Sequence, residues 1–220
     1  MKRSEINAAL TWAKDLLASQ NIRLPEPAYL SPDQARARDL STVKAVMLGW
    51  DITDFGTGDF DKVGAVLYTV RNGLLADPSV GVPYCEKYIL MKPGQRLPEH
   101  YHVFKTEDII VRAGGTLKLN LWNTDDAGCR LSTPVHVFMD GFEQVYAPGE
   151  DIFVVPGCSV SLTPHLSHIF GPAEGSGDLV IGEVSKVNDD NTDNYFLEPT
   201  SRFADIEEDT PALHLLCNEY

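Results

Sequence analysis

The stretch "EHYHVFKTEDIIVRAGG", residues 99–115, decides the fold. In a β-strand successive side chains alternate between faces, so His100 and His102 share one side while Tyr101 points to the other. If the chain turns at "VFKT" and pairs back, Glu107 opens the next strand and comes round to the same face. Two imidazoles and a carboxylate converging on one point form a ligand set for a first-row divalent metal. These borderline N and O donors suit Mn, Fe, Co, Ni or Zn, and a fourth ligand is expected from elsewhere in the fold. Taken alone, the His-x-His pair also fits surface histidines or hydrogen-bonded core ones.

The flanking sequence places this stretch in a β-rich frame. In "RSEINAALTWAKDLLASQN", Ile6, Leu10, Ala13 and Leu17 fall on one helical face, with Ser4 as a plausible N-cap. Ser31 as cap, Pro32 at the first helical position and Gln34 as reciprocal partner predict a second, shorter helix. From about residue 43 the period changes to short runs rich in Val, Ile, Leu, Phe and Tyr. These are "VKAVMLGWDI", "VGAVLYTV", "KYILMKPG", "EDIIVRAGG", "TLKLNLWN", "VHVFMDGFEQVYAPG", "DIFVVPG" and "DLVIGEVS". Asp140-Gly141 is the sharpest hairpin signal. Many short strands divided by turn residues predict an antiparallel sandwich or barrel. After Lys186 an acidic, turn-rich region reads as an ordered capping loop over about residues 187–210, followed by a last strand, "ALHLLCNEY". Residues 1–220 are thus expected to form one domain. A helical segment over 1–42 packs on a barrel over 43–220.

Composition narrows the partners. With 220 residues, 43% of them hydrophobic, the chain can bury a real core. A formal charge of −14 opposes binding to nucleic acid or an anionic membrane, both of which rely on clustered Lys and Arg. The N-terminal segment carries Glu5 and Asp15 where a secretory signal needs an unbroken apolar run, so a soluble, cytoplasmic protein is expected. The four cysteines, Cys85, Cys129, Cys158 and Cys217, are widely spaced and read as reduced. Gly114-Gly115 lacks the lysine and helix start of a phosphate cradle and reads as a tight turn. His136 and His214 stand without such company and read as satisfied or solvated histidines.

The spacing of the opening stretch resembles the first motif of the cupin superfamily, with Gly94, His100, His102, Glu107 and Gly114 at every interval. The second motif is degenerate. In "GCSVSLTPHLSH", Gly157 and His168 keep the interval, Thr163 replaces the proline and His165 the glycine. The resemblance implies a mostly β cupin barrel, a jelly-roll-like double-stranded β-helix, with N-terminal α-helices. His100, His102, Glu107 and His168 are its implied metal ligands, and His165 is the competitor for the fourth position.

A longer likeness, over roughly residues 80 to 217, is to the D-lyxose isomerase family. It rests on "YCEKYILMKPGQ", "PEHYHVFKTEDIIVRAGG", "LVIGEVSKVNDDNTDNYFLEP" and "LCNEY". Between the second histidine and the glutamate that family usually has an aromatic residue, a basic residue, a lysine and one more; here stand Val103, Phe104, Lys105 and Thr106. The resemblance implies a metal-dependent aldose-ketose isomerase, active as a homodimer. It would interconvert D-lyxose with D-xylulose, and D-mannose with D-fructose, through a cis-enediol. Mn2+ is the expected ion, with Co2+, Fe2+, Ni2+ and Zn2+ as alternatives.

That chemistry assigns tasks to particular residues. Proton exchange between C1 and C2 needs a base near neutrality beside the metal. Lys105, between His102 and Glu107, is the leading candidate, and Glu107 is counted as catalytic as well as a ligand. Glu183 interrupts the apolar run "DLVIGEVS" on the face of Leu179 and Ile181, where a buried carboxylate needs a partner or a task. Lys87, Asp190 and Arg202 are the expected sugar-binding groups, since sugars are recognised by directional hydrogen bonds from charged and amide side chains. The readings from other classes are an Fe(II) dioxygenase and a non-catalytic sugar-binding protein.

Overall fold

A computed structural model describes residues 1–189 and 192–220. Three α-helices, α1 (Arg3–Ser19), α2 (Pro32–Arg36) and α3 (Ser41–Ala45), precede the sheets. The strands run β1 (Gly49–Thr53), β2 (Ala65–Leu74), β3 (Asp77–Met91), β4 (His100–Tyr101), β5 (Glu107–Gly114), β6 (Leu117–Asn123) and β7 (Val135–Met139). They continue as β8 (Phe142–Tyr146), β9 (Ile152–Val154), β10 (Ser159–Leu162), β11 (Leu166–Pro172), β12 (Leu179–Ser185) and β13 (Tyr195–Phe196). One sheet has the order β1-β2-β3-β12-β5-β10-β7-β8 and the other β13-β4-β11-β6-β9. All pairings between these strands are antiparallel, and the mostly β cupin architecture with N-terminal helices stands as expected.

Two apolar clusters explain the burial pattern. Inward-facing Leu67, Ile89, Ile109, Val111, Leu119, Leu121, Leu166 and Ile181 fill the space between the sheets. Their strand neighbours Val66, Tyr68, Leu90 and Val180 face the other way, onto Ile6, Leu10, Ala13 and Leu17 of α1. Both faces of β2 and β12 are therefore covered, which is why these strands read as nearly unbroken apolar runs. The Asp140-Gly141 turn forms as expected, both residues taking the positive φ (50° and 86°) that a two-residue hairpin of this kind needs.

Three local expectations are corrected. Ser4 is not the N-cap. The cap is Lys2 and helix α1 starts two residues earlier than a Ser4 cap would set it, the Lys2 N–H donates to Glu5, and Asp209, from the far end of the chain, accepts the Ser4 N–H at 2.9 Å. The start of "VKAVMLGWDI" is helical in α3, and the strand begins only at Gly49, whose φ of 107° turns the chain into the sheet. The segment "ALHLLCNEY" is not a strand. It touches β1 through an isolated bridge from Leu216 to Trp50 and is held mainly by side chains. The second helix does carry the expected capping box, Ser31 with Gln34.

The terminal segment is clasped to α1. Arg3, 1% exposed, donates to Glu208 and Glu219. His214 donates from Nδ1 to the Leu30 carbonyl at 2.8 Å, and its Nε2 accepts from the Lys14 ammonium at 2.8 Å. Protonating this ring would set two cations against each other in a half-buried site. Burial, with Lys14 beside it, accordingly holds the imidazole below its ordinary value of 6.5.

The unfolded chain therefore binds this proton first as the pH falls. The contribution of this group to stability is complete above pH 6.5 and is lost below it, down through the folded-state value. His214→Gln, which has no proton to gain, is expected to flatten this acid limb of the urea midpoint between pH 7 and 5. An unchanged slope in the variant would mean that the clasp does not titrate.

Candidate active site

The end of the barrel beside β4 gathers the singled-out residues. The pairing of β11 with β4 sets His168 directly opposite His100, and the nitrogens of His100, His102 and His168 lie within 4.8 Å of one another. Each ring is oriented by its other nitrogen. His100 Nδ1 donates to the Pro98 carbonyl at 2.9 Å, His168 Nδ1 to the Leu166 carbonyl at 3.0 Å, and His102 Nδ1 to the Asp193 carbonyl. Such bonds fix the tautomer and leave each Nε2 with a lone pair.

Those lone pairs point together. His100 and His168 bring their Nε2 atoms to 3.1 Å, and His102 Nε2 is buried with no hydrogen-bond partner. Glu107 opens β5 and adds its carboxylate, 3.3 Å from His168 Nε2 and 3.5 Å from His102 Nε2. Four electron-pair donors so placed repel one another unless a proton or cation lies among them. The donor set fits a divalent metal, and protonation is the weaker alternative for His100. Burial first, then the neighbouring His168 and His102, holds that ring well below its usual pKa. His165 does not join the group. It takes a positive φ of 62° at the motif's glycine position, its ring stacks on Tyr101, and its N–H donates to the His102 carbonyl at 2.8 Å.

A second cluster adjoins the first. Lys105 Nζ lies 2.8 Å from Glu107 and 3.3 Å from Glu183, and Lys87 Nζ is also 3.3 Å from Glu183. All four side chains are buried, and their formal charges cancel. Burial alone would raise the Glu107 carboxyl. The Lys105 ammonium and the adjoining histidines outweigh it and hold the group well below the usual carboxylate range. The Glu183 hydrogen bonds to Lys87, Lys105 and Ser185 all fall on Oε1.

Of the expected sugar-binding groups, Lys87 and Arg202 line the same cavity as His100, Lys105, Glu107 and Glu183, with Phe55 and Phe196 among its apolar walls. Asp190 lies outside the described residues. Asn188 accepts from Lys105 Nζ at 3.2 Å.

Sequence reasoning missed Asp193. Its carboxylate accepts the N–H groups of Val103, Phe104 and Lys105 at 2.7, 3.1 and 2.8 Å, while its carbonyl holds His102. One residue thus sets both a histidine and the lysine-bearing turn. Within "NDDNTDNY" nothing distinguishes this acid from Asp189 or Asp190. Asp51 was also missed. It lies in β1 and pairs with the Arg202 guanidinium, a nitrogen of which is 2.7 Å from its carboxylate.

The comparisons agree with this geometry. The family described as D-lyxose isomerase matches residues 1–220. A D-lyxose/D-mannose isomerase of Serratia proteamaculans is 42% identical over 223 aligned residues, covering 100% of this chain and 98% of that one. A D-lyxose/D-mannose isomerase of Escherichia coli O157:H7 is 40% identical with the same coverage. Among solved structures, a variant of the L-ribose isomerase of Acinetobacter sp. DL28, in complex with L-ribose, superposes with a TM-score of 0.65. It covers 94% of this chain and 98% of that one, and at 15% identity the likeness is one of fold. A full-length match of this kind, on a β barrel whose histidine cluster adjoins a cavity lined by buried charges, makes the chain a sugar isomerase belonging to the D-lyxose isomerase family.

Proposed function

We propose that this chain interconverts D-lyxose with D-xylulose, and D-mannose with D-fructose, through a cis-enediol, with a divalent metal held by His100, His102, Glu107 and His168. The observation that carries the reading is the adjacency of two buried groups of side chains. One is a set of lone-pair donors facing a common point, the other a charge-balanced set of two lysines and two glutamates sharing Glu107. When bound, the ion supplies Lewis-acid stabilisation of negative charge on sugar oxygens. Mn2+ is the ion proposed, and the same donors accept Co2+, Fe2+, Ni2+ or Zn2+. The names of the relatives, D-lyxose/D-mannose isomerase, support the choice of sugars.

The remaining tasks fall to the chain itself. Glu183, with its bonds gathered on Oε1, offers Oε2 to take the proton from C2 and return it at C1, while the O2 hydroxyl proton passes to O1 in the enediol. This moves the leading role in carbon proton transfer from Lys105 to Glu183. The ammonium of Lys105, held between two carboxylates, serves instead as a hydrogen-bond donor to the sugar oxygen on which charge develops. Glu107 fixes that ammonium while acting as a ligand. Lys87 orients Glu183, and Arg202 hydrogen-bonds the sugar hydroxyls. Asp190 remains a proposed sugar-binding residue. A homodimer in the cytoplasm is the setting this reading expects.

Chelator-stripped protein is expected to form no ketose, and single additions of Mn2+, Co2+, Fe2+, Ni2+ or Zn2+ to restore D-xylulose formation from D-lyxose without oxygen. In His102→Ala both bound metal, measured by elemental analysis, and turnover should be lost. Oxygen-dependent turnover, or full activity without metal, would discard the proposal.

Glu183→Gln keeps every proposed ligand, so its metal content should match the parent while kcat falls by about 100-fold or more. A kcat within about twofold of the parent would return the proton-transfer role to Lys105.

A further inference from the structure

The cavity that holds the proposed chemistry has room for about 50 Å3, far below the roughly 300 Å3 at which small-molecule pockets begin. A second cavity of about 300 Å3 opens behind it. Its lining includes Asp51, Thr69, Asn72, Asn188, Asp189 and Arg202, with Ala45 at the exposed end of α3. Arg202 lines both spaces.

Two further observations tie the cavities together. Thr69, on the outer side, is the cross-strand partner of Lys87, on the inner side. Asn188, which lines the outer space, reaches Lys105 through Oδ1, while its backbone N–H donates to Asn72 Oδ1 at 3.0 Å. The divide between the two spaces is itself fixed. The Arg202 guanidinium forms an ion pair with the buried Asp51 carboxylate at 2.7 Å, its carbonyl accepts from Thr53 Oγ1 at 2.9 Å, and its cation lies over the Phe203 ring. The outer lining thus sets amides, carboxylates and a hydroxyl among apolar groups such as Val46, Leu74 and Phe203, the mixture that binds a polyhydroxylated chain.

We infer that the outer cavity is a subsite for the end of the sugar chain remote from the reacting carbons, and that the Arg202–Asp51 pair is the divide that sets how long a chain is accepted. This rests on the sugar-isomerase reading and adds its specificity determinant. A five-carbon chain reaches the Arg202 divide with its last carbons, and a six-carbon chain carries one more hydroxymethyl group further into the outer space. Asp51 touches no reacting atom and acts through Arg202.

The test uses D-arabinitol and D-mannitol, inert five- and six-carbon polyols, titrated calorimetrically into metal-loaded protein, beside turnover of D-lyxose and D-mannose. Ala45→Trp fills the outer space from an exposed helix end. It should weaken D-mannitol relative to D-arabinitol by about tenfold, within the range that one misplaced carbon group is worth. Asp51→Asn removes the carboxylate charge beside the Arg202 guanidinium and should shift the same ratio the other way, toward the longer polyol, with D-mannose gaining on D-lyxose in kcat/KM. Equal effects on both polyols, no effect on either, or binding of neither would overturn the inference, and Ala45→Trp keeps the test valid if Asp51→Asn fails to fold. A polyol ratio that moves as expected in a protein that makes no ketose would sink the isomerase reading and leave the subsite standing.

Discussion

Burying ionised side chains in an apolar barrel is tolerable only if they neutralise one another, and that requirement fixes the centre of this molecule. Removing an ion from water costs several kcal/mol even after relaxation, and the attraction of a well-placed partner offsets it. Lys87 and Glu183 are directly paired across β3 and β12, and Glu107 faces Ser185 across β5 and β12. The strand register therefore determines the charge balance. A slip by one residue on β12 would turn Glu183 to the opposite face, onto the layer beneath α1, and leave two lysines and one glutamate in the cavity. Fold and site are one constraint here.

The outer layer serves the same end. The strands that carry Lys87 and Glu183 inward present Leu90 and Val180 outward, where α1 covers them. Burial on both faces leaves these strands little freedom to shift, which is the support a site of this precision needs. The helix is in turn held by the far end of the chain, through Arg3 with Glu208 and Glu219 and through Ser4 with Asp209. Residues near both termini thus act on the barrel without approaching the cavity.

The legible part of this architecture was what depends on local period and spacing. The His-x-His alternation, the interval to Glu107 and the Asp140-Gly141 turn are short-range signals, and the inward face of Glu183 followed from its place among Leu179 and Ile181. His168 followed from motif spacing over His165, and the structure brings it to the cluster. What escaped depends on long-range contact. Asp193 resembles its acidic neighbours until the chain folds its carboxylate onto the turn at residues 103–105. Asp51 sits in an apolar-looking strand, and only the return of Arg202, more than a hundred residues later, shows what it binds. "ALHLLCNEY" has a strand-like composition, yet its amides meet single groups, the Asn7 side chain on α1 for Leu213 and the Trp50 carbonyl on β1 for Cys217, rather than a neighbouring strand's ladder. The same limit applied to Lys105, which sequence placed at a turn beside the metal. In three dimensions two carboxylates flank it.

The balance at the centre also bears on why this arrangement suits a sugar. An aldose carries no charge into the cavity, so it cannot compensate a charge imbalance left by the protein, as a phosphorylated or carboxylate substrate could. The two lysines and two glutamates cancel before the substrate arrives. A bound dication would then leave the region net positive, the sign that opposes negative charge developing on the sugar oxygens. Moving a proton from carbon to Glu183 keeps that total unchanged, because the charge lost by the carboxylate appears on the substrate beside Lys105. The transfer redistributes charge within a buried volume and imports none, so water need not enter to solvate it. The inner cavity can stay as small as about 50 Å3 and still accommodate the reacting end of the chain, provided the rest of the sugar has somewhere else to go.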